Sequence, residues 1–195
     1  MAADIRNAPK RGLVSSHPRK TCFVTIGATT GFQDLINAVM AADFISILEA
    51  QSYTHLIVQH GVDGAKHFAA LNSALSKPGI SIAGFGVDPA GLDDYMLLAK
   101  GAGGTADVEG VVISHAEMWK AMLIHQGSGT VLNAMRLALP LIVVPNEKLL
   151  DNHQVELAEV LAKQGYVVRG HVHGAAPVGG GGIQAVMDEE MGFLD

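Results

Sequence analysis

A Gly-Ser-Gly-Thr turn, Gly127-Ser128-Gly129-Thr130, is the stretch of this sequence best suited to chemistry. An apolar run, Val111-Val112-Ile113, comes before it, and the turn opens the helical pattern of residues 131–137. The backbone N–H groups in the first turn of a helix have no partner within the helix, and the positive end of the helix dipole lies beside them. The turn therefore predicts a binding site for a phosphate or diphosphate group.

Short apolar runs alternate with helical patterns, which is typical of a parallel sheet with right-handed crossover helices. Strands are predicted at residues 21–26, 54–59, 80–87, 111–113, 141–144 and 166–169. Helices are predicted at residues 32–51 with a break near Ala42-Asp43, and at 65–75, 92–100, 131–137 and 155–161, the last stopped by Gly165. The fold class is therefore α/β, with a Rossmann-like, doubly wound, mostly parallel sheet. Ligands of such sheets bind beyond the carboxyl ends of the strands, so residues 27–31, 114–130 and 145–154 should line one crevice.

Composition excludes several classes of protein. The 195 residues fit one domain, and 49% hydrophobic with 16% charged residues suits a large core. A net charge of −6 argues against a nucleic-acid-binding surface. The single cysteine, Cys22, lies in an apolar run, so we expect a buried structural thiol in a reducing compartment. No apolar run reaches the roughly 18 residues of a spanning helix. A mean hydropathy of +0.28 fits apolar surface reserved for a partner, and a parallel sheet rich in Val, Ile and Leu accounts for much of it.

Four further motifs, together with the glycine turn, give the sequence a specific resemblance. In chain order the five are Phe23-Val24-Thr25-Ile26-Gly27-Ala28-Thr29, Val112-Ile113-Ser114-His115-Ala116, Gly127-Ser128-Gly129-Thr130, Pro140-Leu141-Ile142-Val143-Val144-Pro145-Asn146 and Leu150-Asp151-Asn152-His153-Gln154. The combination resembles the catalytic subunit of the dolichyl-diphosphate UDP-GlcNAc transferases, over residues 21–170. Such a chain is similar to the C-terminal, donor-binding half of a GT-B glycosyltransferase, like that of the bacterial GlcNAc transferase that makes lipid II.

The resemblance implies half of an enzyme. Members of this family transfer GlcNAc from UDP-GlcNAc to GlcNAc-diphosphodolichol with inversion, which adds the second, β-1,4-linked sugar of the N-glycan precursor. A separate membrane-anchor subunit supplies the other half and the lipid acceptor, at the cytosolic face of the endoplasmic reticulum. The same resemblance implies a heterodimer, with no metal, no other cofactor and no nucleic-acid partner.

The resemblance also implies roles for individual residues. The N–H groups of Gly127, Ser128, Gly129 and Thr130, with the Thr130 hydroxyl, would stabilise the departing UDP. Asn133 occupies a position where relatives carry an acidic residue that contacts the ribose hydroxyls, and an amide keeps the acceptor but loses the charge. Residues expected to contact the hydroxyls of the donor sugar are Asn152, His153 and Gln154.

The remaining predicted residues concern the acceptor and the proton. Thr25, Gly27 and Thr29 would line the crevice from the first strand, facing the acceptor or the partner subunit. The general base that takes the proton of the acceptor's 4-hydroxyl is expected from the other half of the enzyme, and His115 is the best local candidate. Alternatives stay open here: His115 packs in the crevice wall, and His153 begins a helix capped by Asp151 or Asn152.

One departure from the family pattern lies at the predicted phosphate site. In the family Ser-His-Ala runs directly into Gly-Ser-Gly-Thr, whereas here the ten residues 117–126 stand between Ala116 and Gly127. If they loop out, the site survives. If they continue as a helix from Ala116, the glycine turn is carried away from the strand end and donor binding fails. A third interpretation is an intron boundary read as coding sequence.

The two ends of the chain have different compositions from the middle. Residues 1–20 show no periodicity and predict a flexible basic tail, while residues 171–195 predict a glycine-rich linker and a short helix at 183–194 that docks on the anchor subunit. Two rival functions remain. The first is a partner-binding subunit impaired by the insertion. The second is a Rossmann oxidoreductase, which the absence of a Gly-x-Gly-x-x-Gly spacing in Gly27-Ala28-Thr29-Thr30-Gly31 disfavours.

Overall fold

The computed structural model describes residues 19–26, 31–101, 108–115, 130–146 and 153–172. The strands in these residues are β1 (Lys20–Thr25), β2 (His55–Gln59), β3 (Ser81–Phe85), β4 (Val108–His115), β5 (Leu141–Val144) and β6 (Val168–Arg169). They form one sheet in the order β3-β2-β1-β4-β5-β6, and every neighbouring pair is parallel. This is the strand order of a doubly wound Rossmann-like sheet, so the predicted fold class is confirmed.

Helices cover this sheet, and two of them replace the first long helical pattern. They are α1 (Gln33–Val39), α2 (Ala42–Ala50), α3 (Ala65–Ala74), α4 (Asp93–Lys100), α5 (Thr130–Arg136) and α6 (His153–Lys163). The break predicted near Ala42-Asp43 is confirmed, because Ala41 has extended backbone between α1 and α2 (φ −69°, ψ 144°). Gly165 also ends α6 as predicted: its φ is +73°, and its N–H donates to the Ala162 carbonyl at 2.9 Å.

The core has two layers, one on each face of the sheet. Cys22 and Val24 of β1 point toward α1, α2 and α3, where Phe44 is fully buried. Phe23 points to the other face and packs with side chains of α4, α5 and α6, including Met96. A strand buried on both faces reads as a continuous apolar run rather than an alternating one. Complete burial of a side chain such as Phe23 or Phe44 contributes about 1.5–3 kcal/mol.

Strand β4 begins earlier than its apolar run predicts. The sequence predicts a strand from Val111, but β4 starts at Val108 and includes Gly110. A Cβ at Gly110 would lie 1.8 Å from the Thr21 carbonyl oxygen, and the β1–β4 register is irregular between Lys20 and Cys22. Only glycine lets the two backbones approach this closely. The sequence pattern does not predict this part of the strand, because Glu109 and Gly110 interrupt the apolar run.

At the other end of the sheet, β6 is shorter than predicted. The sequence predicts a strand from Tyr166, but the Tyr166 N–H donates to the Leu161 carbonyl at 3.1 Å and so completes the end of α6. β1 begins at Lys20, which is the last residue of the predicted tail. Residues 1–18 and the predicted linker and terminal helix within residues 173–195 lie outside the described residues. None of the described helices is long and apolar enough to cross a membrane.

The one cysteine is part of the core. Cys22 is completely buried, and its burial raises the pKa of the thiol well above the ordinary value. A buried neutral thiol behaves as a small apolar side chain. The predicted burial of Cys22 is confirmed.

Candidate functional site

The strand order fixes where a ligand would bind. The chain leaves β1 in one direction to form β2 and β3, and it returns to the other side of β1 to form β4, β5 and β6. The connections that leave the carboxyl ends of β1 and β4 therefore diverge, and ligands of open α/β sheets bind in the crevice between such connections. Residues 27–30 and 116–129, which follow these two strands, lie outside the described residues. Gly27, Thr29, Gly127, Ser128 and Gly129 are therefore placed by sequence alone.

Buried polar side chains mark the same edge of the sheet. Among the described residues, the buried polar side chains are those of Thr21, Thr25, Gln59, His60, Ser114 and Asn146. All but Thr21 lie at or just beyond the carboxyl ends of four neighbouring strands, in the order β2, β1, β4, β5. Buried polar groups are costly unless they are hydrogen-bonded. Their concentration at one edge distinguishes it from the apolar body of the sheet and supports it as the functional edge.

Thr25 holds two of these strands together. Its hydroxyl donates to the Gln59 side-chain carbonyl oxygen, Oε1, at 2.5 Å, and both side chains are buried. On its other side, Thr25 is in register with Ser114 of β4. The structure thus places Thr25 in the interior beneath the predicted crevice, with its one proton directed to β2. Its predicted contact with the acceptor stays a prediction.

Gln59 and His60 were missed by the sequence reasoning. His60 Nδ1 lies 2.9 Å from the Gly61 carbonyl oxygen, and its ring packs against Phe68 at 5.4 Å between centroids. Because a carbonyl oxygen can only accept, Nδ1 carries a proton and donates it to the Gly61 carbonyl. The available signal was a polar pair placed directly after the apolar run of β2, at the carboxyl end where ligands bind.

His115 and Thr130 bracket the predicted phosphate segment. His115 is the last residue of β4 and pairs with Val144 of β5, and Thr130 is the first residue of α5. The backbone therefore brings His115 to the carboxyl edge at the switch point, as the prediction requires. Gly127, Ser128 and Gly129 and the ten residues 117–126 lie between these two points, outside the described residues.

Asn133 has a partner that the sequence did not reveal. It lies in α5 and is partly buried, and its side-chain Nδ2 donates to Asp93 Oδ1 at 2.8 Å. Asp93 is the first residue of α4 and is exposed. Helices α4 and α5 pack on the same face of the sheet, and each begins beyond the carboxyl end of a parallel strand. The pair therefore lies at the predicted ligand edge.

The segment predicted to contact the donor sugar enters the structure at α6. His153 and Gln154 are the first two residues of this helix, whereas Asn152 lies outside the described residues. β5 ends at Val144 and is followed by the buried Asn146. Because α6 follows the carboxyl end of β5, its first turn is at the same edge as His115 and Asn133. Within the described ranges no group of three His, Cys, Asp or Glu residues could hold a metal ion.

Comparison with known proteins gives the same picture. The model of the glycosyltransferase family 28 C-terminal domain matches residues 21–170. The chain is 33% identical over 161 residues to the UDP-N-acetylglucosamine transferase subunit ALG13 of Cryptococcus neoformans var. neoformans, and the match covers 78% of each chain. It is 28% identical over 156 residues to the subunit of the same name from Saccharomyces cerevisiae, covering 76% of each. The mouse protein of that name is 34% identical over 148 residues, but this chain spans only 10% of its length.

Solved structures agree on the fold. The NMR solution structure of ALG13 superposes with a TM-score of 0.55 at 25% identity, over 79% of each chain. The crystal structure of MurG from Acinetobacter baumannii gives a TM-score of 0.55 at 15% identity, over 91% of this chain and 41% of that one. The latter likeness concerns the fold alone, and this chain corresponds to less than half of that protein. The resemblance predicted from the five motifs is confirmed, and the chain belongs to the family of the glycosyltransferase family 28 C-terminal domain, in which its curated relatives are UDP-N-acetylglucosamine transferase subunits.

Proposed function

We propose that this chain is the donor-binding, catalytic subunit of a transferase that moves GlcNAc from UDP-GlcNAc to GlcNAc-diphosphodolichol. The observation that carries the proposal is the match, along 78% of both chains, with a protein named as a UDP-N-acetylglucosamine transferase subunit. The product is the dolichol-linked precursor of N-glycans with its second GlcNAc in β-1,4 linkage. Because the relatives are named as subunits, we infer a second chain that anchors this one at the cytosolic face of the endoplasmic reticulum and holds the lipid acceptor.

The switch-point geometry supports donor binding by this chain. As the bond between the sugar and UDP breaks, negative charge accumulates on the diphosphate, and preorganised N–H donors stabilise such charge most effectively. We assign that role to the backbone of Gly127, Ser128 and Gly129 and to Thr130. Support comes from Thr130, since it is the first residue of α5, the next described helix after β4. The sugar hydroxyls are assigned to Asn152, His153 and Gln154, because α6 begins at the same edge.

Inverting transfer requires a nucleophile on the face opposite the leaving group. The acceptor's 4-hydroxyl oxygen forms a bond to the anomeric carbon while the bond from that carbon to the UDP oxygen breaks. The hydroxyl proton passes to a general base, for which His115 is the candidate in this chain because it ends β4 at the switch point. Gly27 and Thr29 are assigned to the acceptor side, and Thr25 is assigned there through the strand end that it holds in place.

The proposed function is tested by transfer of labelled GlcNAc from UDP-GlcNAc to a GlcNAc-diphosphate-lipid acceptor. This chain is co-expressed with its membrane partner, beside a variant that lacks residues 117–126. Equal transfer by both forms is expected if the ten residues loop out of the phosphate site. If neither form transfers GlcNAc while both bind the partner, the assigned reaction is wrong.

A second candidate function is supported by the ten residues between Ala116 and Gly127. They interrupt the segment that the resemblance assigns to the diphosphate, so the chain could bind its partner without transferring sugar. Binding of UDP-GlcNAc to the full chain separates the two functions. Weak binding that becomes strong on deletion of residues 117–126 would favour the impaired subunit, whereas equal binding favours the enzyme.

A further inference from the structure

Asp93 and Asn133 form a pair that connects two helices at the ligand edge. Their side chains are 2.8 Å apart, between Asn133 Nδ2 and Asp93 Oδ1, although forty residues separate them along the chain. Helix α4 crosses the face of β1 and β4, where Met96 and Ala99 pack with Phe23 and Val112. These two strands flank the switch point. The first residue of α4 and the first turns of α5 therefore meet beside the crevice in which a nucleotide is expected.

The chemistry of the pair fixes the orientation of the amide. An ionised carboxylate can only accept hydrogen bonds, so Asn133 must turn its NH₂ group toward Asp93. The opposite corner of the same planar group, the carbonyl oxygen Oδ1, then faces away from Asp93. An asparagine without this partner could present either corner, because the two differ only by a half-turn about the last side-chain bond. With Asp93 in place, Asn133 offers an acceptor.

We propose that Asp93 is a positioning residue. It orients the Asn133 amide so that the side-chain oxygen accepts a hydrogen bond from a ribose hydroxyl of the nucleotide. The inference rests on the proposed function and on the ribose contact that the resemblance implies for Asn133, at a position where relatives carry an acidic residue. A ribose hydroxyl both donates and accepts hydrogen bonds, but a carboxylate binds it only by accepting, so an amide reproduces that contact only when its oxygen is the group presented. Asp93 holds the amide in this orientation by accepting the hydrogen bond from its NH₂ group. The specificity that results is for ribonucleoside over deoxyribonucleoside diphosphates.

The test compares two probes on the purified full chain by isothermal titration calorimetry. UDP carries both ribose hydroxyls, and 2′,3′-dideoxyuridine diphosphate carries neither, so the ratio of their affinities isolates the hydroxyl contact. Asp93→Ala should lower UDP affinity about threefold to tenfold, the range for one hydrogen bond, and should leave the dideoxy probe unchanged. Asp94→Ala is the matched control. Asp94 is equally exposed in the same first turn, so its loss removes the same charge without removing the partner of Asn133.

Exchanging the two side chains distinguishes a positioning role of Asp93 from a purely structural one. Asn133→Asp alone sets two carboxylates against each other and should weaken UDP binding. Asp93→Asn combined with Asn133→Asp restores the pair with the roles reversed, so a carboxylate faces the ribose. That double variant should recover at least the wild-type ratio of UDP to dideoxy affinity.

Three outcomes would overturn the inference while leaving the proposed function untouched. In the first, Asp93→Ala keeps the wild-type affinity ratio. In the second, the exchanged double variant binds UDP no better than Asn133→Asp alone. In the third, the wild-type chain binds UDP and the dideoxy probe equally, which leaves the proposed function standing. If the wild-type chain binds neither nucleotide, the proposed donor site itself is wrong and the inference fails with it.

Discussion

Replacement of Thr25 by valine tests whether this residue acts through structure or through contact with a substrate. Valine keeps the shape of the side chain but removes the hydroxyl that donates to Gln59 Oε1 at 2.5 Å. Both side chains are buried, with Thr25 fully inaccessible and Gln59 3% exposed, so the amide oxygen loses this donor where water cannot readily replace it. Leaving a buried acceptor unsatisfied costs about 1–3 kcal/mol. We expect Thr25→Val to lower the free energy of unfolding by that amount.

Urea unfolding followed by circular dichroism measures the effect, and a double-mutant cycle separates the bond from its surroundings. Gln59→Leu alone should cost a similar amount, because the buried Thr25 hydroxyl loses its hydrogen bond to Gln59. The double variant Thr25→Val with Gln59→Leu removes both partners, and its cost should be smaller than the sum of the two single costs by at least about 1 kcal/mol. If the two losses add within about 0.5 kcal/mol, the hydrogen bond does not stabilise this edge of the sheet and the reasoning is refuted.

The same variant addresses the role of Thr25 in the reaction. Folded Thr25→Val protein should bind UDP as the wild-type chain does, since the hydroxyl points to β2. A loss of GlcNAc transfer with unchanged UDP binding would place Thr25 on the acceptor side, as the resemblance implies. A loss of both would mean that this strand end positions the whole crevice.

Three other predictions concern the core and the termini. Gly110→Ala should reduce the free energy of unfolding by more than about 3 kcal/mol, since its Cβ would lie 1.8 Å from the Thr21 carbonyl oxygen, whereas Gly31→Ala, with nothing within 4 Å of its Cβ, is the control. Burial raises the pKa of the Cys22 thiol well above its ordinary value; stability should therefore fall as pH rises above that ordinary value, by up to about 1.4 kcal/mol per pH unit more than in Cys22→Ala. Deletion of residues 183–195 should release the protein from membranes that carry the partner, and continued co-sedimentation would refute the predicted docking helix.

The amino-acid pattern was sufficient for the fold because the four inner strands, β2, β1, β4 and β5, are buried on both faces of the sheet. Residues such as Val24 and Val112 face helices on one side or the other, so their runs are apolar throughout and easily recognised. Where a residue belongs to a strand because of a backbone contact, the apolar pattern does not predict it. Gly110 belongs to β4 because its backbone approaches that of Thr21. The residues around Gly110 in the sequence do not indicate that Thr21 is its neighbour.

The residues of the candidate site also differ in how far their positions could be predicted from the local sequence. His115, Thr130 and His153 could be placed at the ligand edge from sequence, since each lies where a strand ends or the next helix begins, and parallel strands end at one edge. Gln59 and Asp93 could not be found, because their roles depend on partners 34 and 40 residues away in the chain. Motifs therefore identify the groups that touch a ligand more readily than those that orient them. An amide such as Asn133 is ambiguous as donor or acceptor until its second partner is known, and here that partner is a carboxylate that only the fold brings within reach.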